Sequence, residues 1–142
     1  MARVDKSIVV DVPIEKAYDQ WTTFEDFPHF MDGVVEVKRI DGELLSWVTG
    51  REGRRRKSQV RIVRRVLNKV LAWESESEDG NNGTVVFRSV APEKTEVQLH
   101  LEYVAGNVRE QLGAARGAVQ RRIEGNLQRF KDYVEARRDT AS

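Results

Sequence analysis

The chain contains no cysteine, which excludes disulfides, thiolate zinc sites, iron–sulfur clusters and cysteine nucleophiles together. Histidine is nearly as scarce. His29 and His100 are too few for a histidine-rich metal centre, so neither a metal nor a cofactor is expected. No apolar run approaches the roughly 20 residues that span a bilayer, and the opening MARVDKSIVV lacks a secretory-signal pattern. P-loop, dinucleotide-fingerprint, HExxH and GxSxG spacings are all missing. A soluble, cytoplasmic protein is the expectation, and 142 residues suit one domain, 1–142. With 39% hydrophobic and 33% charged residues, the composition is polar but able to form a core.

The 24 Lys+Arg and 23 Asp+Glu almost cancel, yet they are unevenly placed. Residues 1–50 carry a net −5, residues 51–65 carry +7, residues 66–106 carry −4, and the remainder carries +3. The basic block REGRRRKSQVRIVRR could track phosphates on a nucleic acid or an anionic membrane surface. No aromatic residue lies between Gly50 and Asn68, so bases would find no stacking platform and nucleic acid is not the expected partner. Cross-strand neutralisation is the competing reading. Glu74, Glu76 and Glu78 of the next strand would meet Arg61, Arg64 or Arg65, each pair contributing a few tenths of a kcal/mol. That pairing leaves Arg54–Lys57 exposed at a hairpin, discouraging edge aggregation or making transient contact with an anionic surface.

Hydrophobic periodicity orders the elements. Ser7–Val12 is a β-branched strand stopped by Pro13, which suits the first position of a helix. Ile14, Ala17, Tyr18 and Trp21 follow at helical spacing, and FEDFPHFM (residues 24–31) reads as a second helical turn. From Gly33 the period becomes two. Val35, Val37 and Arg39 should share a face up to the Asp41-Gly42 turn. Leu45, Trp47 and Thr49 form the next row, then Val60, Ile62 and Val66 after a turn at residues 50–53. Asn68-Lys69 turns again into Val70–Ser77, where Leu71, Trp73 and Ser75 align. Glu78–Gly83 reads as a loop. Val85 and Phe87 lead to Ala91-Pro92, and Val97, Leu99, Leu101 and Tyr103 alternate with polar residues on a half-wet last strand.

The longest element comes last. Asn107 and Glu110 have capping-box spacing, and apolar residues recur at threes and fours from Val108 to Val134. Some 30 helical residues would extend roughly 45 Å, so six or seven antiparallel strands are needed to support them. Its first half is rich in small residues (Gly113, Ala114, Ala115, Gly117, Ala118), whereas Ile123, Leu127, Phe130 and Val134 fill the second. Small residues facing a sheet allow either close backbone contact or a hollow. A curved sheet cannot follow a straight helix along its whole length, which favours the hollow.

The order strand, two short helices, six strands and one long helix is carried by VDVPIEKAYDQWTTFEDFPHFMDGVVEV and VQRRIEGNLQRFKDYVEAR. It resembles the START-like superfamily, most closely the polyketide cyclase/dehydrase family that includes the coenzyme Q-binding START-type domains. The resemblance implies an α+β helix-grip (START/Bet v 1-like) fold. A curved antiparallel sheet of six to seven strands would wrap the C-terminal helix, with two short helices after the first strand. Between sheet and helix it implies a hydrophobic cavity. The candidate lining is Phe27, Phe30, Met31, Trp47, Trp73, Phe87, Leu99, Leu101, Leu112 and Ala115. The implied function is binding, or transport, of a hydrophobic or amphiphilic small molecule such as a lipid, quinone or polyketide. The alternative is a polyketide cyclase or dehydratase acting in the same cavity.

Such catalysis needs an acid or base near a carbonyl and a cation to steady an enolate. Arg51, Arg61 and Tyr103 are the catalytic candidates, with Thr49 and Ser75 as further polar groups on the strands. None forms a recognisable catalytic spacing. His29 is expected in an exposed turn, and His100, alternating with an apolar row, on the solvent face.

Overall fold

Pro13 separates the first strand from the first helix, its carbonyl accepting the N–H groups of Lys16 and Ala17. The structure, a computed structural model, describes residues 2–51, 53–76, 81–103 and 114–137. Strand β1 (Ala2–Val10) leads to helix α1 (Ile14–Thr22) and a 3₁₀ helix (Phe24–His29). Strands β2 (Val34–Arg39), β3 (Leu44–Arg51), β4 (Arg54–Val66), β5 (Val70–Ser75), β6 (Asn81–Ala91) and β7 (Lys94–Tyr103) follow. Helix α2 (Ala114–Ala136) closes the described chain. The seven strands form one antiparallel sheet in the order β1-β7-β6-β5-β4-β3-β2. This is the α+β helix-grip arrangement.

Four features depart from the sequence expectation, each because pairing overrides local propensity. β1 starts at Ala2 and not at Ser7, since β7 pairs it from Ala2↔Tyr103 to Val10↔Thr95. A bulge between Val34 and Glu36 turns Val35 outward, 40% exposed, while Val37 is 2% exposed. A second shift between Ile62 and Arg64 exposes Val63 and sets Arg64 opposite Ala72 and Arg65 opposite Leu71. Of the expected ionic ladder, Arg61 faces Glu74 and its Nε donates to Glu76 Oε1 at 2.9 Å, while Glu78 lies outside the described residues. Finally, Asn81–Gly83 belong to β6, opposite Tyr103, Glu102 and Leu101, and are not loop.

The core forms where α2 meets α1 and the 3₁₀ segment. Ile123, Leu127, Phe130 and Val134 are buried in one row. The Phe130 ring lies 4.9 Å from Trp21 and 5.3 Å from Phe30, both edge to face. Polar ties fix the helix axis. Lys6 Nζ lies 2.8 Å from Glu124, Glu135 accepts the Asp11 N–H at 2.7 Å, and Arg129 Nε donates to the Phe30 carbonyl at 3.1 Å. These ties hold α2 over β1 and the 3₁₀ segment. Among the described residues, it makes no comparable backbone approach to β3, β4 or β5. The Asn107–Glu110 cap lies outside the described residues.

Candidate functional site

The sheet register sets three inward rows beneath the stand-off. On β3, Leu45, Trp47 and Thr49 succeed one another; opposite them on β4 stand Val60, Ser58 and Arg56. On β5 the row is Leu71, Trp73, Ser75, with Trp73 opposite Ile62 and Ser75 opposite Val60. β3 and β5 run one way and β4 the other, so all three change from apolar to polar toward the same end. That end is the β3–β4 hairpin.

A cavity of about 1000 Å³ occupies this space. Its apolar floor includes Trp21, Phe24, Phe27, Leu45, Val60, Ile62, Leu71, Leu99, Ile123 and Leu127. Its polar part comprises Asp32, Thr49, Arg55, Arg56, Ser58, Ser75, Arg122 and Asn126. The volume lies at the top of the range of about 300–1,000 Å³ usual for small-molecule sites. Hydrogen bonds tie the polar end together: Asp32 N–H donates to Asn126 Oδ1 at 2.9 Å, and Gly50 N–H donates to the Gly33 carbonyl at 2.9 Å. Gly33 has a φ of 83°, the left-handed conformation that favours glycine, which turns the chain from the 3₁₀ segment into β2.

Two tryptophans shape the chamber. Trp73 lies across the sheet over Gly83, where an added Cβ would overlap the indole. Trp47 packs its ring 5.4 Å from Phe27. Its Nε1 is the one buried side-chain polar atom without a hydrogen-bond partner among the described residues.

Of the candidate lining residues, Phe27, Met31, Trp47, Trp73, Leu99 and Leu101 are brought together around the cavity. Phe30 and Phe87 are buried elsewhere. Phe30 packs on Phe130, and Phe87 meets Tyr18 at 5.4 Å and Trp21 at 6.5 Å. Leu112 and the side chain of Ala115 lie outside the described residues. The described helix residues that line the cavity are Arg122, Ile123, Asn126 and Leu127, and most side chains of the glycine- and alanine-rich stretch expected to do so lie outside the described residues.

Among the catalytic candidates, Arg61 faces solvent on the opposite side of the sheet, paired with Glu76. The side chains of Arg51 and Tyr103 lie outside the described residues, whereas Thr49 and Ser75 line the cavity. Ser58, Arg122 and Asn126 were missed, although two signals announced them. Ser58 continues the Val60–Ile62 alternation, and Arg122 and Asn126 each precede a core residue of α2 by one position. His100 lies on the outer sheet face, its Nδ1 2.7 Å from Asp5, and His29 stacks on Tyr133 with ring centroids 5.4 Å apart. Among the described residues, no group of acidic or histidine side chains could hold a metal, and no helix is long and apolar enough to cross a membrane.

The model of the family described as polyketide cyclase/dehydrase and lipid transport matches residues 10–132. The chain belongs to that family. A relative in Streptomyces lincolnensis, an uncharacterized 17.2 kDa protein of the melC2-rnhH intergenic region, is 34% identical over 138 residues. That match covers 96% of this chain and 92% of the relative. Among solved structures, the fold is shared with the Zhui aromatase/cyclase from Streptomyces sp. R1128, at a TM-score of 0.76 and 13% identity, covering 96% of this chain and 94% of that one. It is shared with the di-domain aromatase/cyclase BexL of the BE-7585A pathway, at 0.78 and 20% identity, covering 95% of this chain and 47% of that one. A START superfamily protein from Mycobacterium smegmatis gives 0.71 at 13% identity, with 99% of both chains covered. The family fold is therefore START-like, and at these identities the solved structures bear on fold alone.

Proposed function

We propose that the chain binds an amphiphilic small molecule of the lipid, quinone or polyketide class in the cavity between the sheet and α2. The observation that carries this reading is the graded lining of the roughly 1000 Å³ space, apolar at one end and polar at the hairpin end. Burial drives binding, since each CH₂ taken from water contributes about 0.8 kcal/mol. The indoles of Trp47 and Trp73 select by shape. Native mass spectrometry of the purified protein is expected to detect a co-purified lipophile. Stripped protein should change its tryptophan emission on titration with long-chain alcohols, fatty acids or quinones. An empty protein that binds none of these probes rules the reading out.

A second reading has its own observation: Arg56, Arg122 and the hydroxyls of Thr49, Ser58 and Ser75 line the same space as the apolar groups. A guanidinium beside a folded polyketide can steady an enolate while a hydroxyl relays a proton. Cyclase or dehydratase activity would show as aromatic absorbance growing from a linear poly-β-carbonyl substrate, lost in Arg56→Gln and Arg122→Gln. Absence of turnover despite tight binding leaves the binding module alone.

A further inference from the structure

We infer that the β4–β5 hairpin is a membrane-contact tip, fitted to the surface of an anionic lipid bilayer. The inference goes beyond the amphiphile-binding reading and concerns the other end of the sheet from the cavity's polar end. In the antiparallel order, the β2–β3, β4–β5 and β6–β7 turns gather at one end, and the β3–β4 hairpin lies at the opposite one. Six large hydrophobic side chains are exposed among the described residues, and five of them belong to the three-turn end: Val9, Ile40, Val63, Leu67 and Val90. Scattered apolar residues on a surface need no explanation, whereas their gathering at one end does.

Leu67 is the most exposed of the five, at 72%. It occupies a tight turn in which the Lys69 N–H donates to the Val66 carbonyl at 2.9 Å, with Asn68 left-handed at a φ of 59°. Such turns favour small polar residues, and a leucine so exposed adds little to the core. β3 starts at Leu44, opposite Arg61, so residues 63–69 run on past its end.

No acidic residue occurs from Val60 to Trp73, and Arg64, Arg65 and Lys69 flank Leu67. Arg64 stands opposite Ala72 and Arg65 opposite the buried Leu71, so the two guanidinium groups belong to opposite faces of the hairpin. A flat partner laid on the sheet would meet one of those faces, whereas a bilayer met end-on receives both. Arg65 and Arg39 each lie 5.8 Å from the centre of the buried Phe24 ring, which holds them beside the tip. The nearest turn brings two carboxylates, Asp41 and Glu43, of which Asp41 accepts the Glu43 and Leu44 N–H groups at 3.0 Å. Four cations thus stand against two acids. The β6–β7 hairpin is closer to balance: Arg88 meets Glu96 at 2.9 Å and Lys94 meets Asp11 at 3.9 Å, with Glu93 beside them. An apolar apex entering the acyl boundary, ringed by cations at the level of the lipid phosphates, is the arrangement that an anionic bilayer holds.

The chain has no cysteine, so Leu67→Cys and Lys57→Cys each accept a single environment-sensitive fluorophore. The full chain is mixed with vesicles of phosphatidylcholine, alone or blended with phosphatidylglycerol. The label at 67 is expected to brighten and shift to the blue on the blended vesicles only, and the label at 57, on the opposite hairpin, to stay unchanged. In cosedimentation of unlabelled protein, Leu67→Ser should weaken partitioning about tenfold. Arg64→Gln and Lys69→Gln should each weaken it about fivefold. Raised salt should release the wild type. All these side chains are exposed, and unchanged thermal unfolding will identify the variants that remain folded. Equal binding to both vesicle types, binding to neither, or a response at 57 in place of 67 overturns the inference. So does a dimer in sedimentation velocity that Leu67→Ser dissolves, without vesicle binding, which assigns the tip to a second copy of the chain. Cavity binding is read separately with soluble amphiphiles, so either reading can fail while the other stands.

Discussion

At the scale of single residues, the floor of the cavity depends on a side chain that is not there. Gly83 lies opposite Trp73 and Leu101, and the indole occupies the space a Cβ would need. Gly83→Ala must push Trp73 into the cavity, at a cost typical of overpacking, about 1–3 kcal/mol. Urea unfolding should show the lower midpoint, and bulky ligands should bind less well. A wild-type midpoint with unchanged ligand range would show that Trp73 has another place to go. Thr95 offers a second test. It is fully buried, and its hydroxyl donates to the Val12 carbonyl at 2.8 Å. Thr95→Val keeps the shape and orphans that carbonyl, so a loss of about 1–3 kcal/mol is expected by denaturant titration. Neither role could be read from the sequence. Gly83 looked like the end of a loop, and Thr95 like one polar residue among several, because both depend on what lies across the sheet. Trp47, Trp73 and Leu99 were legible because simple alternation already placed them on a single face.

Between elements, the seam of β1 with β7 carries most of its polarity on the outer face. Asp5 lies opposite His100, 2.7 Å from its Nδ1, and also accepts from Arg3 Nε at 3.0 Å. A carboxylate only accepts, so Nδ1 carries the proton. The hydrogen bond from His100, followed by that from Arg3, holds the Asp5 carboxyl below its ordinary value of 3.8. A group whose folded value is depressed stabilises the fold fully above its unfolded value and loses that contribution as pH falls through the folded one. Acid unfolding followed below pH 4 should therefore be less steep in Asp5→Asn than in the wild type, with the two converging at the acid extreme. Parallel curves would remove Asp5 from the acid response. Glu96 behaves alike, lowered by hydrogen bonds first from Gln98 and then from Arg88. β7 was plain in the sequence because its alternation is unbroken. The first half of β1 was not, since Arg3, Asp5 and Lys6 are poor strand formers recruited by a partner some 95 residues away. The bulges at Val35 and Val63 escaped for a related reason: a pattern of period two cannot register an extra residue.

For the molecule as a whole, the architecture followed from a mismatch of lengths that any reader of the sequence could notice: a long amphipathic helix needs a wide sheet, and a wide sheet curves. Where the two part company was harder to see. The run of glycine and alanine suggested the first turns of the helix, most of whose side chains lie outside the described residues, and among the described residues the hollow reaches the turns carrying Arg122, Ile123, Asn126 and Leu127. Helix α2 is held there by its ties to β1, Asp11 and the Phe30 carbonyl, and among the described residues its backbone makes no comparable approach to β3, β4 or β5. An unfilled chamber forfeits dispersion contacts along its lining, so a ligand that fills it adds stability by mass action. At a hundredfold excess over the dissociation constant the gain is about 2.7 kcal/mol, or roughly 5–10 °C in Tm for a domain of this size. Thermal unfolding of stripped protein with and without saturating dodecanoate measures it. Because Gly83→Ala pushes Trp73 into the chamber without touching the anchors, it should reduce this shift in addition to lowering the ligand-free Tm. A lower ligand-free Tm with an undiminished shift would mean that filling of the hollow does not govern the gain.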